Sequence, residues 1–112
     1  MLTLYGLKNC DACRKARRWL DANATDYRFR DVRSEGVTEA KLRVWAEQVG
    51  WEVLLNRRST TWRQLPDTNQ AIDSAVAIAL MARYPALIKR PVLEAGERVL
   101  VGFREADYQS LL

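Results

Sequence analysis

No histidine occurs among the 112 residues of this chain, and that absence excludes more chemistry than any other feature of its composition. Without an imidazole there is no Cys–His or Ser–His catalytic pair, and the commonest metal ligand is missing. Cysteine is scarce too: the two present could supply half of a zinc site at most. No apolar run approaches the roughly 20 residues needed to cross a bilayer. The N-terminus shows no signal-peptide succession of charge, apolar core and small-residue cleavage site, which predicts a cytosolic protein without membrane association. Internal repeats, low-complexity stretches and linkers are also missing, so residues 1–112 are expected to form one domain. There is no concentrated basic segment. The 18 Lys and Arg against 14 Asp and Glu give a net charge of +4, but they are spread along the chain and do not interleave with aromatics. That distribution predicts no direct nucleic-acid binding and fits a basic field around an anionic thiol substrate.

What is present begins at the N-terminus. Leu2-Thr-Leu-Tyr5 reads as a short strand, Gly6-Leu-Lys-Asn9 as a turn, and Cys10 as the residue that opens a helix, with Cys13 one turn further in. The unpaired amides and dipole of a helix N-terminus favour a thiolate over a thiol, and can lower a cysteine pKa from about 8.5 to roughly 3.5–7.5. Cys13 would then be placed to attack any disulfide that Cys10 forms. In a reducing compartment this strand–turn–Cys-x-x-Cys–helix succession points to thiol redox chemistry more than to a structural staple. The plainer alternative is a pair of cysteines packed as small hydrophobes. Lys8 and Arg14 are the basic residues expected to lie near the Cys10 sulfur and lower its pKa further.

The rest of the chain reads as follows. A first helix spans Asp11 to Asn23, with Ala12, Ala16, Trp19 and Leu20 as its buried stripe. A half-buried strand covers Asp26 to Asp31, so strand, helix and strand form a parallel crossover. Arg33 to Gly36 is a loop. Thr38 caps a helix carrying Leu42, Trp45, Ala46 and Val49, and Trp51 to Leu55 add a further turn. Ser59 or Thr60 caps a short helix carrying Trp62 and Leu65, and Pro66 to Asn69 punctuate the chain. Ile72, Ala75, Val76, Ala79 and Leu80 mark another amphipathic helix that stops at Tyr84-Pro85. A hairpin follows, with Val92-Leu93 and Arg98 to Val101 around a turn at Ala95 to Glu97. A terminal helix over Arg104 to Leu112 offers Tyr108, Leu111 and Leu112 for packing. The four tryptophans are expected in the core, Trp19 and Trp45 on apolar stripes.

Thr3-Leu-Tyr-Gly6 with Lys8-Asn-Cys10, Gly50-Trp-Glu-Val-Leu-Leu-Asn56, Thr60-Thr-Trp-Arg63 and Ile88-Lys-Arg-Pro91 together resemble the ArsC family of thioredoxin-fold proteins over nearly the full length. The family includes glutaredoxin-coupled arsenate reductases and Spx-type transcription regulators. These stretches are most similar to its YffB-like branch, whose members are proposed to be glutathione-linked thiol reductases. The resemblance implies an α/β, thioredoxin-like fold: a four-stranded mixed sheet flanked by helices, with a helical insertion at about residues 38–84 between strands 2 and 3. It also implies a cis peptide before Pro91, set beside Cys10. Arsenate reductases surround the catalytic cysteine with three arginines. Arg90 matches one of them. Asn56, followed by Arg57 and Arg58, stands at the second, and Gly102, with Arg104 two residues on, at the third.

The expected function is cytosolic thiol–disulfide reduction. Cys10 is the nucleophile and Cys13 a resolving thiol, glutathione is co-substrate, and there is no tightly bound cofactor or metal. Arg90, Pro91, Lys8, Asn9, Arg14 and Arg57 line the substrate, with Arg90 holding a glutathione carboxylate. Glutaredoxin is a further expected partner, and the chain is expected to be a monomer. The rival readings are a glutaredoxin- or glutathione-coupled arsenate reductase, and a regulator that binds RNA polymerase and is switched by a Cys10–Cys13 disulfide.

Overall fold

Apolar residues at alternate positions of β1 (Leu2–Gly6) give the sheet its buried face. The computed structural model describes residues 2–65 and 71–112; the break expected at Pro66 to Asn69 lies outside them. Two compact units are seen, one built from both chain ends (Met1–Glu35 with Arg90–Leu112) and one from Gly36–Lys89. The insertion expected at residues 38–84 falls inside the second.

In the first unit β1 leads through α1 (Asp11–Ala22) to β2 (Tyr27–Asp31), and β3 (Val92–Ala95), β4 (Arg98–Val101) and α7 (Glu105–Gln109) complete it. The strand order is β2-β1-β3-β4. β1 pairs parallel with β2, antiparallel with β3, and β3 pairs antiparallel with β4, giving the four-stranded mixed sheet. Register puts Leu4 opposite both Phe29 and Leu93, and Leu93 opposite Leu100. That row faces α1 and α7: Leu4, Ala16, Leu20, Leu93 and Tyr108 are fully buried, with Leu2, Trp19, Tyr27, Phe29, Leu100, Phe103 and Leu111 packed around them. Full burial of each leucine is worth about 1.5–3 kcal/mol. Tyr108 is the centrepiece, its ring edge-on to Trp19 at 5.6 Å and to Phe103 at 4.8 Å. Arg17 crosses from α1 to β2, with Nε donating to the Tyr27 hydroxyl at 3.2 Å and its guanidinium 4.6 Å from the Phe29 ring centre.

The buried face of α1 is Cys13, Ala16 and Leu20. Ala12 and Trp19, expected on that stripe, are only half-buried. Cys13 therefore points into the core. Residues 33–36, expected as a loop, form instead the end of a one-turn helix, α2 (Val32–Glu35), and the glycine after it. The Asp31 carboxylate accepts from the amides of Arg33 (2.8 Å) and Ser34 (3.1 Å), and Glu35 reaches back to the Asp31 amide. Those amide bonds hold the Asp31 carboxyl below its usual range. α7 is shorter than expected, and Leu112 is 73% exposed instead of packed.

The second unit holds α3 (Glu39–Val49), α4 (Trp51–Leu54), α5 (Thr60–Gln64), α6 (Ser74–Arg83) and a 3-10 turn at Pro85–Leu87. Thr38, Ser59 and Asp73 cap α3, α5 and α6 through their side-chain oxygens. Leu42, Trp45 and Leu54 are fully buried, and Trp62 nearly so. α6 buries Ala77, Ile78 and Met81. The sequence-expected stripe is displaced: Ala75, Val76 and Ala79 are exposed and Ile72 precedes the helix. Apolar residues run almost all round α6, so their spacing selects no face.

Candidate active site

β1 ends at Gly6, and four residues later Cys10 stands as N-cap of α1 with extended backbone (φ −141°, ψ 123°). Its carbonyl accepts from the Arg14 amide at 2.9 Å, starting the helical ladder. The sulfur closes no geometric capping bond but sits, half-exposed, at the positive end of the helix. Partial burial acts to raise the Cys10 thiol. The Cys13 thiol and backbone N–H and the Arg90 guanidinium outweigh it and hold Cys10 below the ordinary thiol value. Cys13 has the opposite environment. Its side chain is fully buried, and that burial pushes its thiol up to about 12. The Cys10 sulfur adds to the rise, and the Leu7 backbone N–H and the Arg90 charge only partly offset it.

The two thiols, both free, are thus tuned apart. Cys10 is accessible and poised to ionise; Cys13 stays protonated at neutral pH and can donate its proton toward Cys10. Arg90 serves both, and the peptide bond joining it to Pro91 is cis. Pro91 is buried, and its carbonyl accepts from Gly102 N–H at 2.8 Å.

Cys10, Cys13, Arg90 and Pro91 all belong to the first unit. Lys8, Asn9 and Arg14 border the same turn, but their interactions differ from the expected ones. Arg14 Nη1 donates to Asn9 Oδ1 at 3.2 Å and its other terminal nitrogen pairs with Asp11, while Lys8 is exposed. The cation acting on the Cys10 sulfur is Arg90, in place of Lys8 or Arg14. Arg57 belongs to the second unit, its guanidinium 5.7 Å from the Trp51 ring centre and 5.6 Å from that of Trp62. Gly102 has φ +77°, a left-handed backbone conformation that favours glycine. Among the described residues, no group of three Cys, Asp or Glu stands close enough to hold a metal.

Two neighbours of Cys13 have no counterpart among the expected site residues. A Cβ built on Gly6 would lie 2.5 Å from the Cys13 sulfur, so the buried thiol occupies space that any other residue would fill. Tyr108 packs on the same face of α1, its hydroxyl buried without a hydrogen-bond partner. Burial first, then the charge of Cys13, push it well above the ordinary tyrosine value. The glycine carried a signal, since a glycine in a strand pattern marks close approach. Tyr108 is distant in sequence and carried none.

One thiol ionisable and accessible at a helix N-terminus, a second buried behind it, and a cis-proline hairpin beside them define a thiol-based oxidoreductase with a thioredoxin-like fold. The chain belongs to the ArsC family, whose model matches residues 5–111. The solved structure of a YffB protein is 45% identical with a TM-score of 0.95, covering 100% of this chain and 99% of that one. An arsenate reductase (ArsC) related protein from Brucella melitensis is 44% identical with a TM-score of 0.75, covering 97% and 92%. An uncharacterized protein of Haemophilus influenzae is 40% identical over 98% of this chain and 97% of its own length. At greater distance, the global transcriptional regulator Spx of Listeria innocua is 29% identical over the whole of this chain and 87% of its own.

Proposed function

We propose that the protein is a cytosolic thiol–disulfide reductase that draws its electrons from glutathione. The observation that carries this reading is the contrast between the two thiols, because only a thiolate attacks a disulfide and only Cys10 is both accessible and held below the ordinary thiol value. In the first step the Cys10 thiolate attacks one sulfur of a substrate disulfide. A Cys10 mixed disulfide forms, and the other sulfur leaves as thiolate and takes a proton. In the second step a glutathione thiolate attacks the Cys10 sulfur, releasing the product thiol and leaving Cys10 bonded to glutathione. In the third a second glutathione thiolate attacks the glutathione sulfur of that bond, giving glutathione disulfide and restoring Cys10 as thiolate. Free glutathione suits the attack on Cys10 at neutral pH. Cys13 must give up a proton it holds until about pH 12, and would serve only once the mixed disulfide has removed the negative charge beside it. Arg90, the cation next to the sulfur, offers a paired donor edge to a glutathione carboxylate, and glutaredoxin is the natural alternative thiol donor.

The test is glutathione-dependent reduction of a small mixed disulfide, coupled to glutathione reductase. Cys10→Ser is expected to abolish turnover and Cys13→Ser to retain a monothiol route. Full activity in Cys10→Ser would sink the proposal. Arsenate reduction is the second reading, favoured by the 44% identity to an arsenate reductase related protein. Against it, Gly102 supplies no side chain where a third arginine is needed. Arsenate-dependent consumption of glutathione in the same assay separates the two.

A further inference from the structure

We propose that Gly6 is a positioning residue for the thiol pair, its missing side chain holding open the place from which the Cys13 sulfur faces Cys10. The geometry is direct. A Cβ at position 6 would meet the Cys13 sulfur at 2.5 Å and the Cys13 Cβ at 3.4 Å. The first separation is far inside contact distance; the second is ordinary packing. The conflict therefore lies with the sulfur alone, and not with the backbone of α1. Cys13 is fully buried, on a helix where one of its three rotamers is already disfavoured by the preceding turn. A methyl group at position 6 forces the sulfur to swing out of its place rather than yield by a few tenths of an ångström. The backbone of β1 is equally fixed, since Gly6 is paired with Asp31 of β2. At its Gly6 end, β1 thus approaches α1 at the Cys13 sulfur, and the glycine makes that approach compatible with a thiol.

The proposal deepens the thiol-reductase reading and rests on it for its significance, but its test does not depend on turnover. The pH profile of Cys10 alkylation by iodoacetamide, followed on the Cys10 peptide by mass spectrometry, reports the thiolate directly. Four proteins are compared: wild type, Gly6→Ala, Cys13→Ala and the double variant. Below the wild-type midpoint, Gly6→Ala is expected to slow Cys10 alkylation about tenfold, the worth of one lost hydrogen bond to a charged sulfur. Cys13→Ala should do the same. Adding Gly6→Ala to Cys13→Ala should change nothing more, since no sulfur is left to displace. Thermal unfolding supplies the second measurement, with Gly6→Ala lowering Tm when Cys13 is present and not when it is alanine. A Gly6→Ala protein that fails to fold while the double variant folds would support the proposal. A wild-type profile in Gly6→Ala, an equal slowing in both Cys13 backgrounds, or a double variant that also fails to fold would overturn it. A wild type with the expected alkylation profile and no glutathione-dependent turnover would count against the reductase reading and still support the role of Gly6.

Discussion

A buried thiol that titrates late makes the folded protein vulnerable to base. Cys13 has an ordinary value of 9.0 and is pushed up to about 12 in the fold. Below pH 9 both states hold the proton, and the contribution to stability is fully present. Between about pH 9 and 12 the unfolded chain releases a proton that the folded chain retains, so stability falls as pH rises through that window. Tyr108, also raised by burial, adds to the same trend at higher pH. Denaturant unfolding at pH 7 and pH 10 is expected to show a loss of stability for wild type that is smaller in Cys13→Ala. An equal loss in both would show that Cys13 is not the titrating group. Cys10 and Cys13 were legible from their spacing before a helix, and Arg90 from its place before Pro91. The fate of Lys8 and Arg14 was not. Sequence puts three cations close to the thiols in principle, and only side-chain geometry decides that Arg14 turns to Asn9 and Asp11.

Elements behave differently from residues, because capping and apolar spacing are local while the buried face of an element is not. Thr38, Ser59 and Asp73 each accept from the amide three residues on, and all three helices start where those bonds require. The first two starts were readable from residue type. α2 escaped because its cap, Asp31, doubles as the last residue of β2. α6 shows the limit of periodicity: Ser74–Arg83 is so apolar that two overlapping stripes fit equally well, and packing chose Ala77, Ile78 and Met81. This choice is testable. Ile78→Ala removes a side chain that is 5% exposed and should cost about 2–5 kcal/mol. Val76→Ala, at a site 45% exposed, should stay within about 0.5 kcal/mol. Comparable losses in urea unfolding would mean that the face is wrongly assigned.

Across the whole molecule, the site depends on residues from opposite ends of the chain. Cys10 comes from the start; Arg90 and the strands β3 and β4 come from the last quarter and are joined to β1 by antiparallel pairing. α7 closes the same core, with Tyr108 fully buried against Leu4, Ala16, Leu20 and Leu93. A chain ending at Phe103 would lose Tyr108 and Leu111 together, and is expected to lose at least about 3 kcal/mol of stability. The lower denaturant midpoint should be accompanied by a shift in tryptophan emission, since Trp19 packs edge-on to Tyr108. An unchanged midpoint would show that α7 is not part of the core.

Sequence by itself determined the strand–turn–Cys-x-x-Cys opening, the parallel β1–α1–β2 unit, the helical stretch before the third strand and the closing hairpin. Each depends on spacing within a few residues, where backbone geometry leaves little choice. Tertiary structure alone decided how deeply Cys13 is buried, that Arg14 turns to Asn9 and Asp11, and that a glycine at the end of β1 and a tyrosine in the last helix lie near Cys13. Those outcomes depend on atoms brought together across the fold. Burial and charge act through space, and neither is written in the order of the chain.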